Sequence, residues 1–234
     1  MPAPGEAGKM RDRMVLKRGA WRVRAWGLGC AAAICLVSQG AVAHPHVFVT
    51  ARQAVVFGPD GKVTGVQAAW TFDDMYSAFA IQGLGDPAKV LTRQDLAPLA
   101  KTNVDSLAEF GWFTVAKTGG KSQPFAYPVD YWLDESADKL ITLHFTLPLK
   151  VPIATGPFFN LQVYDPTYFV AFEFADKDPV TLVGAPPGCS VTVSKPKPLD
   201  NTDNQKLSEA FFSNMSPGMD FGIKLASRAI VACP

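Results

Sequence analysis

Two of the three histidines in the chain lie two residues apart, in the stretch His44-Pro45-His46. In an extended segment, side chains at positions i and i+2 point to the same side, so both imidazoles face one way. Neutral imidazole is the commonest protein ligand for divalent transition metals, and this spacing predicts a shared metal site. The alternative is that His44 and His46 are two polar residues at an exposed chain end.

The third histidine, His144, lies in the strand-like stretch ITLHFTL. Leu143 and Phe145 alternate onto one face of this stretch, so His144 points to the opposite, polar face. A polar face suits a metal ligand or a solvated side chain better than a core position. We therefore predict that His44, His46 and His144 converge as the primary ligands of one ion.

Pro45 excludes one mode of metal binding at this end of the chain. The amino-terminal copper and nickel motif requires a deprotonated backbone amide at the second residue, and proline has no amide hydrogen. Cleavage before His44 would expose an α-amine with a pKa of about 7.7–8.0, which forms a chelate with the ring of the same residue. This arrangement is called a histidine brace. A copper oxidase with such a site is therefore an alternative interpretation.

Three aspartates are candidate supporting groups. Asp73 and Asp74 follow the apolar residues of WTF, where they can supply a carboxylate ligand or accept a hydrogen bond from a ligating histidine. Capping the next helix is the more strongly favoured role for at least one of them. Asp165 precedes a proline, which is typical of a turn, although it can also face a site.

Residues 1–43 are predicted to form a secretory signal peptide that is removed, which leaves one domain over residues 44–234. A basic lead precedes an apolar run at 27–37 that is too short to span a bilayer, and AVA at 41–43 suits the peptidase. Cleavage removes seven of the 22 Lys and Arg residues and two of the 21 Asp and Glu residues, for a net charge of −4. This charge argues against nucleic acid or an anionic membrane surface as a partner.

The two cysteines of the predicted mature chain, Cys189 and Cys233, indicate a disulfide. An even pair in an oxidising compartment is most simply bonded. Neither has a second cysteine at the C-x-x-C spacing of a metal site.

The chain is predicted to form one α+β domain, mainly antiparallel sheet with two or three helices. A β-hairpin is predicted over 46–72, with helices over 75–82 and 93–110. Pro98 indicates a later start for the second of these. The remaining predictions are a strand meander over 112–149, two adjacent pairs of strands (158–165 with 168–175, and 180–184 with 189–194), a linker over 195–205 and a helix near 206–212.

Enzyme motifs are missing from the sequence, which predicts that the protein is not an enzyme. It contains no G-x-S-x-G nucleophile elbow, and no histidine stands at a diagnostic distance from a serine. It also lacks a phosphate-binding glycine loop and a dinucleotide fingerprint.

Six stretches occur along the chain in the order AHPHVFV, WTFDDMYSAFA, ITLHFTLPL, VYDPTYFVAFEFA, GAPPGCSV and RAIVAC. They resemble an uncharacterised family of bacterial exported proteins, described as the periplasmic component of an ABC-type transport system, over almost all of 43–234. Its members are often encoded beside, or fused to, permeases of the nickel/cobalt type. The family carries no established catalytic residues. The positions that match its motifs are His44, His46, Asp73, Asp74, His144, Asp165, Cys189 and Cys233.

The resemblance implies a periplasmic protein that binds a transition metal ion and serves a membrane permease of the nickel/cobalt type. The metal is expected to be nickel, cobalt or zinc, with copper possible, because imidazole suits all of them. One alternative is an interaction subunit of the permease that binds no metal. The other is the copper oxidase with a histidine brace.

Overall fold

The computed structural model describes residues 45–234 except 87, 157 and 214. The helices are α1 (Asp74–Ala80), α2 (Arg93–Leu107), α3 (Asn201–Ser213) and the single turn α4 (Gly222–Leu225), with a 3-10 helix over Ala108–Phe113. The strands are β1 (Val47–Phe57), β2 (Val63–Phe72), β3 (Thr114–Thr118), β4 (Lys121–Gln123), β5 (Val129–Glu135), β6 (Ile141–Ile153), β7 (Phe159–Val163), β8 (Val170–Phe174), β9 (Val180–Val183), β10 (Ser190–Ser194) and β11 (Arg228–Ala232). Within this part of the chain, no helix has the length and apolar content that crossing a bilayer requires.

The strands form two sheets, and the predicted α+β single domain is confirmed. The six-stranded sheet has the order β5-β6-β2-β1-β8, with β9 also paired to β1. The five-stranded sheet has the order β10-β11-β7-β3-β4. The predicted hairpin is β1 and β2, which pair antiparallel through nearly their whole length. Among the strands of the described residues, only β8 and β9 pair in parallel, each along a different half of β1.

The core lies on one face of the six-stranded sheet. Side chains along β1 alternate between buried and more exposed positions, as expected for a strand with one face in the core. The five-stranded sheet covers the half of this face that contains Val55, while α2 covers the half that contains Val49. The opposite face, which we call the outer face, has no layer packed on it among the described residues.

Two predicted strand pairs are wrong. The stretches 158–165 and 168–175 become β7 and β8, which lie in different sheets. Likewise β9 pairs with β1, while β10 pairs with β11 near the chain end. The predicted meander is also split, since β3 pairs with β4 and β7 whereas β5 pairs with β6. Alternation of apolar residues identifies a strand, but it does not specify a partner that is distant in sequence.

The helices differ from their predictions mainly at their ends. Helix α2 begins at Arg93 despite Pro98, because Thr92 and Asp95 form a capping box that specifies the first turn. Helix α3 begins at Asn201, inside the segment predicted as a linker. The first turn of α3 contains polar residues of the kinds that are common in loops, so composition alone places the start of the helix too late.

Candidate functional site

His46 lies just before β1, at the end of the six-stranded sheet. Its backbone N–H donates to the carbonyl of Phe169 at 2.9 Å, and its ring stacks on the Phe169 ring with centroids 4.6 Å apart. His46 is half-buried. These two contacts hold the imidazole at what we call the N-terminal edge, formed by His46, Phe48, Asp73 and Phe169. His44 lies outside the described residues.

Asp73 joins β1 to helix α1 at this edge. Its carboxylate accepts from the N–H groups of Phe48 at 2.7 Å and Tyr76 at 2.8 Å, and its own N–H donates to the Phe48 carbonyl. The Tyr76 bond caps α1, which confirms the capping role favoured from the sequence. Asp74 is exposed and accepts from the N–H of Met75 at 2.8 Å.

Asp165 is buried and shapes the loop that presents Phe169 to His46. Its carboxylate accepts from three backbone N–H groups, those of Thr167, Phe169 and Val170, and from the Thr167 hydroxyl. Gly222 packs against the same loop, and a Cβ added there would lie 1.8 Å from the Asp165 carbonyl oxygen. The loop therefore has a rigid, closely packed base, which confirms the turn-forming role of Asp165.

His144 lies in a different place, on the outer face. Its ring is parallel to that of Trp132, with centroids 4.6 Å apart and an interplanar angle of 5°. Its Nε2 lies 3.2 Å from Oδ2 of Asp134. Partial burial lowers the pKa of His144 below its ordinary value, an effect that Asp134 opposes and Arg93 reinforces. Partial burial thus favours the neutral form of the imidazole.

Asp134 organises the groups around His144. It accepts from Nε of Arg93 at 2.6 Å, from Nη2 of the same side chain at 3.1 Å, and from the indole N–H of Trp132 at 2.9 Å. Partial burial acts to raise the pKa of Asp134, but the hydrogen bonds from Arg93 and Trp132 outweigh it and the pKa is lowered. The Arg93 guanidinium also lies 4.8 Å from the centre of the Trp132 ring. We call Arg93, Trp132, Asp134 and His144 the outer-face stack.

The sequence interpretation missed Arg93, Trp132 and Asp134. The sequence contains a signal for Trp132 and Asp134, because the turn ESAD between β5 and β6 implies a hairpin that brings them beside His144. Its register pairs Trp132 with His144. Arg93 comes from α2, which contacts β5 only in the tertiary structure.

The structure does not bring His46 and His144 together. Across the sheet His144 aligns with Ala69, and Ala69 aligns with Arg52, six positions beyond His46 along the chain. A strand rises about 3.3 Å per residue, so the two histidines are separated by about 20 Å. Ligands of one ion lie within about 2.0–2.2 Å of it, so this fold does not allow His46 and His144 to share an ion. In the described residues, no three His, Cys, Asp or Glu side chains are grouped to hold a metal.

The predicted disulfide between Cys189 and Cys233 is confirmed, with the two sulfurs 2.01 Å apart. It joins the segment before β10 to the segment after β11, next to a pair of strands already bonded to each other. It belongs to the five-stranded sheet and to neither candidate region.

Comparison with known proteins places the sequence in a family. The family model described as "Protein of unknown function (DUF1007)" matches residues 29–233. The chain belongs to this family. It is also similar to an uncharacterized protein of Haemophilus influenzae (strain ATCC 51907 / DSM 11121 / KW20 / Rd), with 25% identity over 198 residues. That match covers 84% of this chain and 94% of the relative.

Proposed function

We propose that this member of the family is a periplasmic protein that binds a divalent transition metal ion at its N-terminal edge and serves a membrane metal permease. His44 and His46 are the ligands in this proposal, with the α-amine of His44 as a third donor after cleavage. Nickel, cobalt and zinc remain the expected metals, with copper possible, because imidazole ligands suit each of them.

The observation that supports this proposal is the way His46 is held. Its backbone and its ring both contact Phe169, and the Phe169 loop is itself held by the buried Asp165 carboxylate. A ligand that is already ordered loses less conformational entropy when it binds an ion. His44 is two residues away in sequence, so the anchored His46 gives a histidine pair one ordered member.

Of the three candidate aspartates, Asp74 keeps a supporting role in the proposal. Asp73 already accepts two backbone hydrogen bonds, and Asp165 is occupied by its own loop. Asp74 is exposed and beside Asp73, so it is the carboxylate best able to approach an ion at the edge. His144 does not take part, because it is about 20 Å away along and across the sheet.

The test is metal binding by mature protein that begins at His44, measured by isothermal titration with nickel, cobalt, zinc and copper. We expect the His44→Ala/His46→Ala variant to lose at least about ten-fold in affinity, equivalent to 1.4 kcal/mol. His144→Ala is the matched control and should bind like the wild type. Equal binding by the double variant, or a loss confined to His144→Ala, would contradict the proposal.

A second variant tests the α-amine. Two residues, Gly-Ser, are placed before His44, which keeps both imidazoles and moves the amine away. Weaker binding of copper or nickel by this variant supports a chelate that includes the amine. Unchanged binding shows that the two imidazoles act without it.

Helix α1 favours the alternative of an interaction subunit that binds no metal. Met75 and Phe79 lie one turn apart, so they share a helix face, and they are 76% and 74% exposed. The helix starts directly after Asp73 and thus adjoins the N-terminal edge. This alternative predicts co-purification with the permease that Met75→Ser/Phe79→Ser abolishes, together with no metal uptake by the wild-type protein.

A further inference from the structure

A cleft of about 620 Å³ lies over the outer face of the six-stranded sheet. This volume is within the range of about 300–1,000 Å³ that is common for small-molecule sites. Its floor is formed in part by Ala54 and Ala69, whose methyl groups leave room above the strands. The metal role proposed above involves none of its residues.

One row of side chains crosses this cleft perpendicular to the strands. The pairing of β1, β2, β6 and β5 aligns Arg52 with Ala69, Ala69 with His144, and His144 with Trp132. All four side chains are on the outer face and line the cleft. The row therefore has two stacked rings at one end, a cation at the other end and a methyl group between them.

Trp132 and His144 stack in parallel, and one face of this stack is uncovered. Trp132 covers the His144 face that is directed toward β5, and Asp134 contacts both rings. The other face of the imidazole borders the space above Ala69, where the side chain ends at Cβ. A flat group placed there extends the stack that Trp132 and His144 begin.

The gap between His144 and Arg52 fits one planar ring. Strands are about 4.8 Å apart, so positions two strands apart are separated by roughly 9–10 Å. A ring in contact on both faces requires about 7 Å between its neighbours, at about 3.5 Å per contact. Arginine guanidinium groups stack on aromatic faces, so Arg52 is suited to close the far side.

Two of the four charged residues that line the cleft are cations available to an anion. Among the described residues, Arg52 and Lys177 form no ion pair, and both line the cleft. Asp130 and Asp178 also line it, but neither belongs to the row that contains Arg52. Gln67 and Thr146 pair in the adjacent row and provide hydrogen-bonding groups beside the gap.

We propose that this cleft binds a small planar aromatic carboxylate, with its ring between His144 and Arg52 over Ala69 and its carboxylate at Arg52. The ring is recognised by stacking, and the carboxylate by a cation that forms no ion pair with another described residue. This site is independent of the metal-binding proposal, because the two regions share no residue.

The test uses benzoate and nicotinate as probes and follows the imidazole proton signals by NMR. Three histidines give few signals, and His144→Gln identifies the one that belongs to His144. We expect the probe ring to shift the His144 signal upfield in a saturable way, with a Kd at or below about 1 mM, and to leave the His46 signal unchanged. Cyclohexanecarboxylate has the same charge without a flat ring and should give no such shift.

Two variants test the geometry separately. Ala69→Leu fills the gap from the outer face and should abolish the saturable shift, while Arg52→Gln should weaken binding at least about ten-fold. Lys150→Gln removes an exposed charge outside the cleft and serves as the control, and near-ultraviolet circular dichroism verifies that each variant is folded. Absence of a shift in the wild type, equal binding by Ala69→Leu, or equal binding of cyclohexanecarboxylate would overturn the proposal.

Discussion

Asp73 at the N-terminal edge and Asp165 in the loop that presents Phe169 to this edge accept hydrogen bonds mainly from backbone N–H groups, whereas Asp134 on the outer face accepts from side chains. Asp73 connects the start of β1 to the start of α1, and Asp165 fixes the backbone of the loop that follows it. Asp134 instead orients the rings of Trp132 and His144, which lie on the paired strands β5 and β6. Two regions that contain a histidine and an aspartate are thus built in different ways.

This difference distinguishes carboxylates that stabilise the backbone of the fold from a carboxylate that orients side chains on its surface. A buried carboxylate bonded to several amides cannot be removed without leaving those amides unsatisfied. A half-exposed carboxylate bonded to side chains leaves groups that water can reach. Substitutions at the edge should therefore affect stability first, and substitutions on the outer face should affect local order and binding.

The largest effect is expected at Asp165. Asp165→Ala leaves three backbone N–H groups of a partly buried loop without their acceptor, which should lower the free energy of unfolding by about 3 kcal/mol. Urea denaturation followed by circular dichroism measures the change. Asp74→Ala is the matched control on the exposed surface and should cost less than about 0.5 kcal/mol. Similar losses in the two variants would remove the distinction between these aspartates.

A smaller effect is expected at Asp73. Asp73→Ala removes the cap of α1 and the acceptor for the Phe48 N–H, for a loss of about 1–2 kcal/mol in the free energy of unfolding. Asp73→Asn keeps one acceptor oxygen and should restore part of this loss. If Asp73→Asn is no more stable than Asp73→Ala, the hydrogen bonds do not account for the effect.

Asp134 should matter less for global stability. Its carboxylate is partly exposed, so Asp134→Ala should cost no more than about 1 kcal/mol. It should still change the near-ultraviolet circular dichroism, because Trp132 and His144 lose the group that orients both rings. Asp138→Ala, an exposed residue in the turn after β5, is the control and should leave that signal unchanged. A loss of unfolding free energy as large as that of Asp165→Ala would mean that Asp134 also stabilises the fold as a whole.

The smallest effect concerns pH. The pKa of folded His144 is lowered, so the unfolded chain binds more protons as the pH falls below the ordinary value of about 6.5. The contribution of His144 to the free energy of unfolding is complete above pH 6.5, the ordinary value, and is lost as the pH decreases below it. His144→Gln should therefore reduce the slope of unfolding free energy against pH between about 5 and 6.5. An unchanged slope in urea denaturation over this range would show that the neutral imidazole is not favoured by folding.

Local patterns in the sequence predicted much of the fold. The hairpin of β1 and β2, the cap at Asp73, the turn at Asp165 and the disulfide all depend on neighbouring residues or on residue counts. The alternation around His144 also predicted correctly that it lies on the polar face of β6. Each of these follows from short-range geometry, which one segment of sequence contains.

The convergence of the histidines was a different kind of prediction, because it required the register of three strands. His144 pairs through Ala69 with Arg52, not with a position near His46, and no local pattern specifies that alignment. The parallel pairing of β8 and β9 with β1 was missed for the same reason. Register depends on how buried faces fit together across the whole sheet.

The sequence by itself determined which residues have chemistry to offer, which segments alternate as strands, and where turns and caps occur, because these depend on residue type and short-range spacing. Only the tertiary structure decided that His46 rests on Phe169, that His144 stacks on Trp132 beside Asp134, and that an alanine separates this stack from Arg52. These neighbours come from different strands and helices. They meet because one face of the sheet is buried and the other is left open.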